Sequence, residues 1–160
     1  MQLQMIRILF MAFLCNVYCA IGQAKIHLVN QSEINNTFLQ NQDTLSNRIL
    51  HFWATWCAPC VKELKELDAA SEQLQGLERV QFISLDFKKD TSKVRFFIKD
   101  KPWMRLVYLM DAPNYNSWID WFSESWSGSI PCTIVYRKGA PAKVYEKNLN
   151  MEQWKNILRE

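Results

Sequence analysis

Cys57 and Cys60 are separated by Ala58 and Pro59 and preceded by Trp56, at a point where an apolar run gives way to a helical pattern. A thiolate is the nucleophile of disulfide exchange, and the unpaired N–H groups and partial positive charge of a helix N-terminus stabilise it. Cys57 stands where that field is felt. Cys60, one turn further in, is close enough to attack a mixed disulfide on Cys57 and release the second product. Pro59 in the first turn needs no N–H partner and stiffens the loop. A chain of this composition would carry on the order of 0.1 Cys-x-x-Cys by chance, and on the order of 10⁻⁴ with the flanking Trp and internal Pro, so the motif is not incidental.

The elements around this pair can be read from apolar spacing. Residues 24–29 and 49–53 have strand character, the second run ending just before Cys57. Val61, Leu64, Leu67, Ala70 and Leu74 recur at three- and four-residue steps, predicting an amphipathic helix over 58–74 stopped by Gly76. A strand over 80–85, a helix over 92–101 with Ser92 as N-cap, and a short strand over 106–110 follow. The spacing predicts a helix over 115–123 with Trp118, Trp121 and Phe122 on one face, then a hairpin of 133–137 and 142–145 about Lys138-Gly139, and a terminal helix from Met151. Strands alternating with helices and closing in a hairpin imply an α/β fold with a mixed sheet covered on both faces.

The 160 residues are 49% apolar and 22% charged, with seven Trp, nine Phe and five Tyr, which excludes a disordered or low-complexity chain and fits one domain. A net charge of +3 from interspersed signs carries no nucleic-acid footprint. Residues 1–22 read as a secretory signal: Arg7 begins it, a short apolar stretch follows, and Ala20-Ile21-Gly22 offers small residues for cleavage. The remaining residues 23–160 then form the domain, and Cys15 and Cys19 leave with the signal. The alternative is a retained membrane anchor, against which Asn16 interrupts a stretch shorter than the ~20 apolar residues that span a bilayer. With Cys57, Cys60 and Cys132 left, a disulfide-stapled scaffold is excluded.

Phe52-Trp53-Ala54-Thr55-Trp56-Cys57-Ala58-Pro59-Cys60, then Glu63, and Ile130-Pro131 before a strand resemble the TlpA/ResA branch of the thioredoxin superfamily, exported disulfide reductases. The resemblance implies a thioredoxin fold with an N-terminal extension and a Trp-rich insertion before the cis-proline strand. It implies Cys57 as nucleophile and Cys60 as resolving thiol, with no cofactor or metal beyond this pair. Pro131 would be a cis proline facing the disulfide and Ile130 would offer its backbone to an extended substrate, beside Trp56, Ala58 and Pro59. Glu63 would manage the proton of Cys60, where the bland alternative is a first-turn glutamate favoured by the helix dipole. The implied partners are exported protein thiols and disulfides and a membrane thiol–disulfide reductant, with the chain a periplasmic or otherwise extracytoplasmic monomer that binds no nucleic acid.

His51 occupies the position at which thioredoxins carry a buried aspartate, making it a second candidate proton relay, or else a hydrogen-bonded core residue. Cys132 is either a third redox thiol or a small buried hydrophobe. The aromatic segment 115–126 is either core or a docking surface. Ala58-Pro59 lacks the histidine of strongly oxidising relatives, which favours a reductase over an oxidase or isomerase. Two other classes remain open at this level: a Cys3His zinc site built from Cys57, Cys60, Cys132 and His51, and a non-redox docking module.

Overall fold

The computed structural model describes residues 24–39 and 47–159. Residues 1–22, expected from the sequence to be a secretory signal, lie outside them, with Cys15 and Cys19. Six strands form one sheet in the order β1-β4-β3-β2-β5-β6, with β1 Lys25–Asn30, β2 Arg48–Trp53, β3 Val80–Ser84, β4 Leu106–Asp111, β5 Cys132–Arg137 and β6 Ala140–Tyr145. The pairs β1·β4, β4·β3 and β3·β2 are parallel, while β2·β5 and β5·β6 are antiparallel. The mixed sheet is thus the one expected from the element order.

β2 holds an interior position and is buried from Ile49 to Trp53, which is why Ile49-Leu50-His51-Phe52-Trp53 is apolar on both alternating sets. One face of the sheet is covered by α2 (Ala58–Ala70), α3 (Thr91–Ile98) and α5 (Met151–Arg159), whose Leu64, Leu67, Val94, Ile98, Trp154 and Ile157 share a core with Ile49, Trp53 and Phe82. The other face is covered by α1 (Gln31–Ile34), the π turn Asn35–Leu39 after it, and α4 (Ile119–Phe122). There Ile34, Phe38, Trp118, Phe122 and Trp126 pack on Leu50, Phe52 and Ile134. Helices on both faces are therefore observed.

Several boundaries differ from the sequence expectation for local reasons. α2 stops at Ala70 and tightens into a 3-10 turn over Ser71–Gln73; Gly76, at φ +93°, instead opens the short turn Leu77–Arg79. α3 starts at Thr91 from Asp90, so Ser92 is inside it rather than capping it, and the Thr91 hydroxyl donates to the Lys88 carbonyl. The predicted helix over 115–123 is broken at Trp118, whose φ of −141° separates a 3-10 turn Tyr115–Ser117 from α4. Trp118 and Phe122 are buried but Trp121 is nearly half exposed, so the three do not share a face. α1 escaped the apolar-spacing reading because it is a single turn; Asn30 and Glu33 form a reciprocal capping box at its start.

The Trp-rich segment is core on its buried side. Phe52 stacks within 4.2 Å of Trp126 and 5.0 Å of Phe122, and the indole N–H groups of Trp118 and Trp126 donate to the carbonyls of Ala112 and Ser129. Through that last bond the segment fixes the turn that enters β5.

Candidate active site

β2 ends at Trp53 and the chain turns through Ala54, Thr55 and Trp56 into α2. This turn is held from beneath by Asp86, buried just after β3. Its carboxylate accepts from the Thr55 N–H at 2.9 Å, from the Thr55 hydroxyl, and from the Ser84 hydroxyl at 2.8 Å. Cys57 is consequently delivered to the N-cap of α2, and Cys57 and Cys60 are joined by a disulfide with a Cα–Cα separation of 5.2 Å. The Cys60 N–H points at Cys57 Sγ at 3.2 Å, the donor geometry that would also hold a Cys57 thiolate. Cys57 retains 6% of its surface, Cys60 none, and Trp56 beside them is exposed. Of the two cysteines, Cys57 is therefore the one open to the surface.

Opposite the disulfide, the Ile130–Pro131 peptide bond is cis, and the Ile130 carbonyl oxygen lies 3.7 Å from Cys57 Sγ. Adjacency of β2 and β5 brings these two pieces together across more than seventy residues of sequence. The loop after β6 fastens the assembly at three points. Glu146 accepts from the Ser127 N–H at 2.8 Å, the Asn148 side chain donates to the Pro59 carbonyl at 2.9 Å, and the Leu149 N–H donates to Glu63 at 3.2 Å.

Glu63 is fully enclosed. One carboxylate oxygen accepts both the Leu149 N–H and the Trp154 indole N–H, the latter at 2.8 Å, while the other oxygen has no partner. Burial raises its pKa from 4.5 to about 7, against the two hydrogen bonds that favour the anion. Such a group exchanges a proton near neutral pH. Trp154, on α5, carried no chemical signal in the sequence, yet it supplies the side-chain donor to Glu63. Trp154→Phe is expected to push the Glu63 pKa above 7 and to cost about 2 kcal/mol of stability from lost packing and the lost bond. Infrared titration of the carboxyl, with urea denaturation beside it, checks both.

His51 is also fully buried; Nδ1 is 3.0 Å from the Thr133 hydroxyl, and its ring meets Phe82 and Trp154 edge-on at 5.8 and 5.4 Å. Burial lowers its pKa from 6.5 to about 3, so the imidazole is neutral at physiological pH. In the antiparallel register Thr133 faces His51 and Cys132 faces Phe52. Alternation therefore places His51 on the disulfide's side of the sheet and Cys132 on the other. Cys132 is a buried free thiol in the aromatic core, with its pKa pushed up by burial. The Cys3His set is not assembled, because Cys132 and His51 are on opposite faces. No group of three or more potential metal ligands occurs among the described residues.

The fold is found in proteins of known structure. The thioredoxin-related protein of Neisseria meningitidis serogroup B aligns over 71% of this chain and 82% of its own, at 23% identity and a TM-score of 0.52. A secreted thiol-disulfide isomerase of Corynebacterium glutamicum aligns over 72% of each chain, at 23% identity and a TM-score of 0.50. The sequence model of the thioredoxin family matches residues 25–115, more than half of the chain and inclusive of β2, both cysteines and Glu63. With the strand-to-helix turn that carries Cys57, the chain belongs to the thioredoxin family.

Proposed function

We propose that the protein is an extracytoplasmic thiol–disulfide oxidoreductase of the TlpA/ResA kind, working as a reductase of protein disulfides. The observation that carries this reading is the Cys57–Cys60 disulfide at the start of α2, with only Cys57 reachable and the Ile130 carbonyl beside its sulfur. In the reduced form the Cys57 thiolate attacks one sulfur of a substrate disulfide; a Cys57–substrate bond forms and the other substrate sulfur leaves as a thiolate. Cys60 loses its proton to Glu63 and attacks Cys57 Sγ. The Cys57–Cys60 bond closes, the second substrate thiolate departs, and two electrons have passed from the protein to the substrate.

Trp56, Ala58 and Pro59 on one side and Ile130-Pro131 on the other bind the substrate chain about its cysteine. Residues 1–22 direct export of the 23–160 domain, a monomer recharged by a membrane thiol–disulfide reductant and needing no cofactor. His51 is enclosed and held neutral by burial beside Thr133, and Cys132 stands outside the exchange. The dipeptide Ala58-Pro59, without histidine, supports the reducing direction. Purified reduced protein is expected to reduce insulin disulfides, with a midpoint potential nearer the roughly −270 mV of thioredoxin than the roughly −120 mV of the oxidising DsbA. A potential above roughly −150 mV would assign it to oxidation or isomerisation instead.

A further inference from the structure

Beyond the cysteines, the turn that carries Trp56 opens onto a second surface. A groove of about 410 Å³, lined by Thr55, Ser92, Lys93, Phe96 and Phe97, begins at the residue before Trp56. Its floor is fixed, since Phe97 stacks on the buried Trp53 at 5.1 Å. Its wall is not covered, since Phe96 is 71% exposed; Trp56, next in the chain after Thr55, is 60% exposed, and Phe87, one residue beyond the Asp86 that holds Thr55, is 51% exposed. Aromatic rings left in water beside a reactive sulfur are the composition of an interface.

The charge around these rings is one-sided. Residues 87–101 contain six lysines and arginines against two aspartates, an excess larger than the net +3 of the whole chain. Lys88, Lys93 and Lys101 are paired with Asp111, Asp90 and Asp68. Lys89 and Lys99 instead lie over the exposed rings of Phe87 and Phe96, at 5.6 and 4.3 Å. Among the described residues the acidic contact of Lys99 is a 3.8 Å approach to the exposed Asp100, which water weakens. Phe87 and Phe96 are thus each presented with an ammonium beside the ring, and the complement of that pair is an apolar side chain next to a carboxylate.

We propose that this face docks the polypeptide flanking the substrate's disulfide, and that the docked segment is acidic with a large apolar residue seated in the groove. This rests on the reductase reading and names the class of protein that it serves. Recognition by a positive rim raises the encounter rate and is lost as salt screens it.

The test uses two peptides with the same disulfide, one flanked by Asp, Glu and Leu and the other by Lys and Leu. Reduced protein at low salt is expected to reduce the acidic peptide about 10-fold faster, the ratio falling towards one in high salt. Lys89→Glu with Lys99→Glu should reverse the preference and leave the rate with hydroxyethyl disulfide unchanged. Phe96→Ser should slow the acidic peptide severalfold. Anisotropy of a labelled acidic peptide lacking cysteine reports docking without chemistry and should weaken in the same variants. Equal rates and equal binding for the two peptides overturn the proposal, as does a preference that survives both charge reversals. Sedimentation with phosphatidylglycerol vesicles, lost on charge reversal and without any peptide preference, overturns it in favour of a lipid surface. Failure to reduce hydroxyethyl disulfide overturns the reductase reading alone, and the anisotropy then still decides the docking.

Discussion

Cys57→Ser is expected to bring disulfide reduction down to the uncatalysed rate, and Cys60→Ser to halt it with the substrate covalently held on Cys57. The asymmetry comes from burial and from the helix. Only Cys57 has surface through which an incoming disulfide can approach, and its sulfur receives the Cys60 N–H at 3.2 Å at the N-terminus of α2. A serine hydroxyl in its place stays protonated at neutral pH and cannot open a disulfide. In Cys60→Ser the first exchange proceeds, but the thiolate that would expel the substrate is missing. Mass spectrometry should find a stoichiometric adduct that dithiothreitol removes. Cys132→Ala is the matched control and should leave the rate unchanged, since the sheet separates that thiol from the pair. Turnover that persists in Cys57→Ser would place the nucleophile elsewhere.

Glu63→Gln has the next largest effect, and it acts on rate and stability in different directions. In the proposed mechanism Cys60 gives its proton to Glu63 before it resolves the adduct, and Glu63 can accept it only where it is ionised, above about pH 7. Loss of the carboxylate is expected to slow resolution by about 10²-fold, the lower end for general base catalysis, and to erase the inflection near pH 7. Quenched single turnovers across pH 5.5–8.5 would display both.

For stability the sign follows from burial. A carboxyl whose folded pKa is raised contributes stability in full below its ordinary 4.5 and loses it as pH rises through about 7, a change of about 3 kcal/mol for a displacement of this size. His51 is displaced the other way: its contribution is complete above 6.5 and lost as pH falls towards 3. Between pH 4.5 and 6.5 the two slopes oppose each other. Urea midpoints of the oxidised protein should therefore vary little in that range and decline from 6.5 towards 7. In Glu63→Gln the decline should vanish, leaving a rise with pH up to 6.5. A variant with the parent's profile would remove Glu63 from this role.

The site was legible where chemistry depends on short-range order. Cys57, Pro59, Cys60 and the apolar β2 are contiguous, so motif and strand could be read together. The antiparallel hairpin was marked by Lys138-Gly139, where Gly139 takes φ +73°. What escaped depends on contacts distant in sequence. The partnership of Trp154 with Glu63 spans 91 residues and has no periodic signature. Whether Cys132 faces the disulfide required the pairing of β5 with β2, because alternation alone gives two sides and names neither. In the Trp-rich segment core packing claims Trp118, Phe122 and Trp126. Among the described residues the ring with the highest fractional exposure is instead Phe96, on a helix whose Val94 and Ile98 face inwards. Spacing predicted that helix but could not say that Phe96 and Phe97 would divide between water and core.

The placement of Cys132 gives the fold a second task. Three thiols within the described residues permit three pairings, and once the chain is open Cys132 competes with either member of the native pair. The sheet acts as a partition that permits a single pairing. In oxidising surroundings the unfolded chain can join Cys132 to Cys57 or Cys60, and the thiol left over must then reopen that bond by exchange before the native pair forms. Recovery after denaturation will therefore depend on whether a reductant is present, and the sheet serves as proofreader of the protein's own active site.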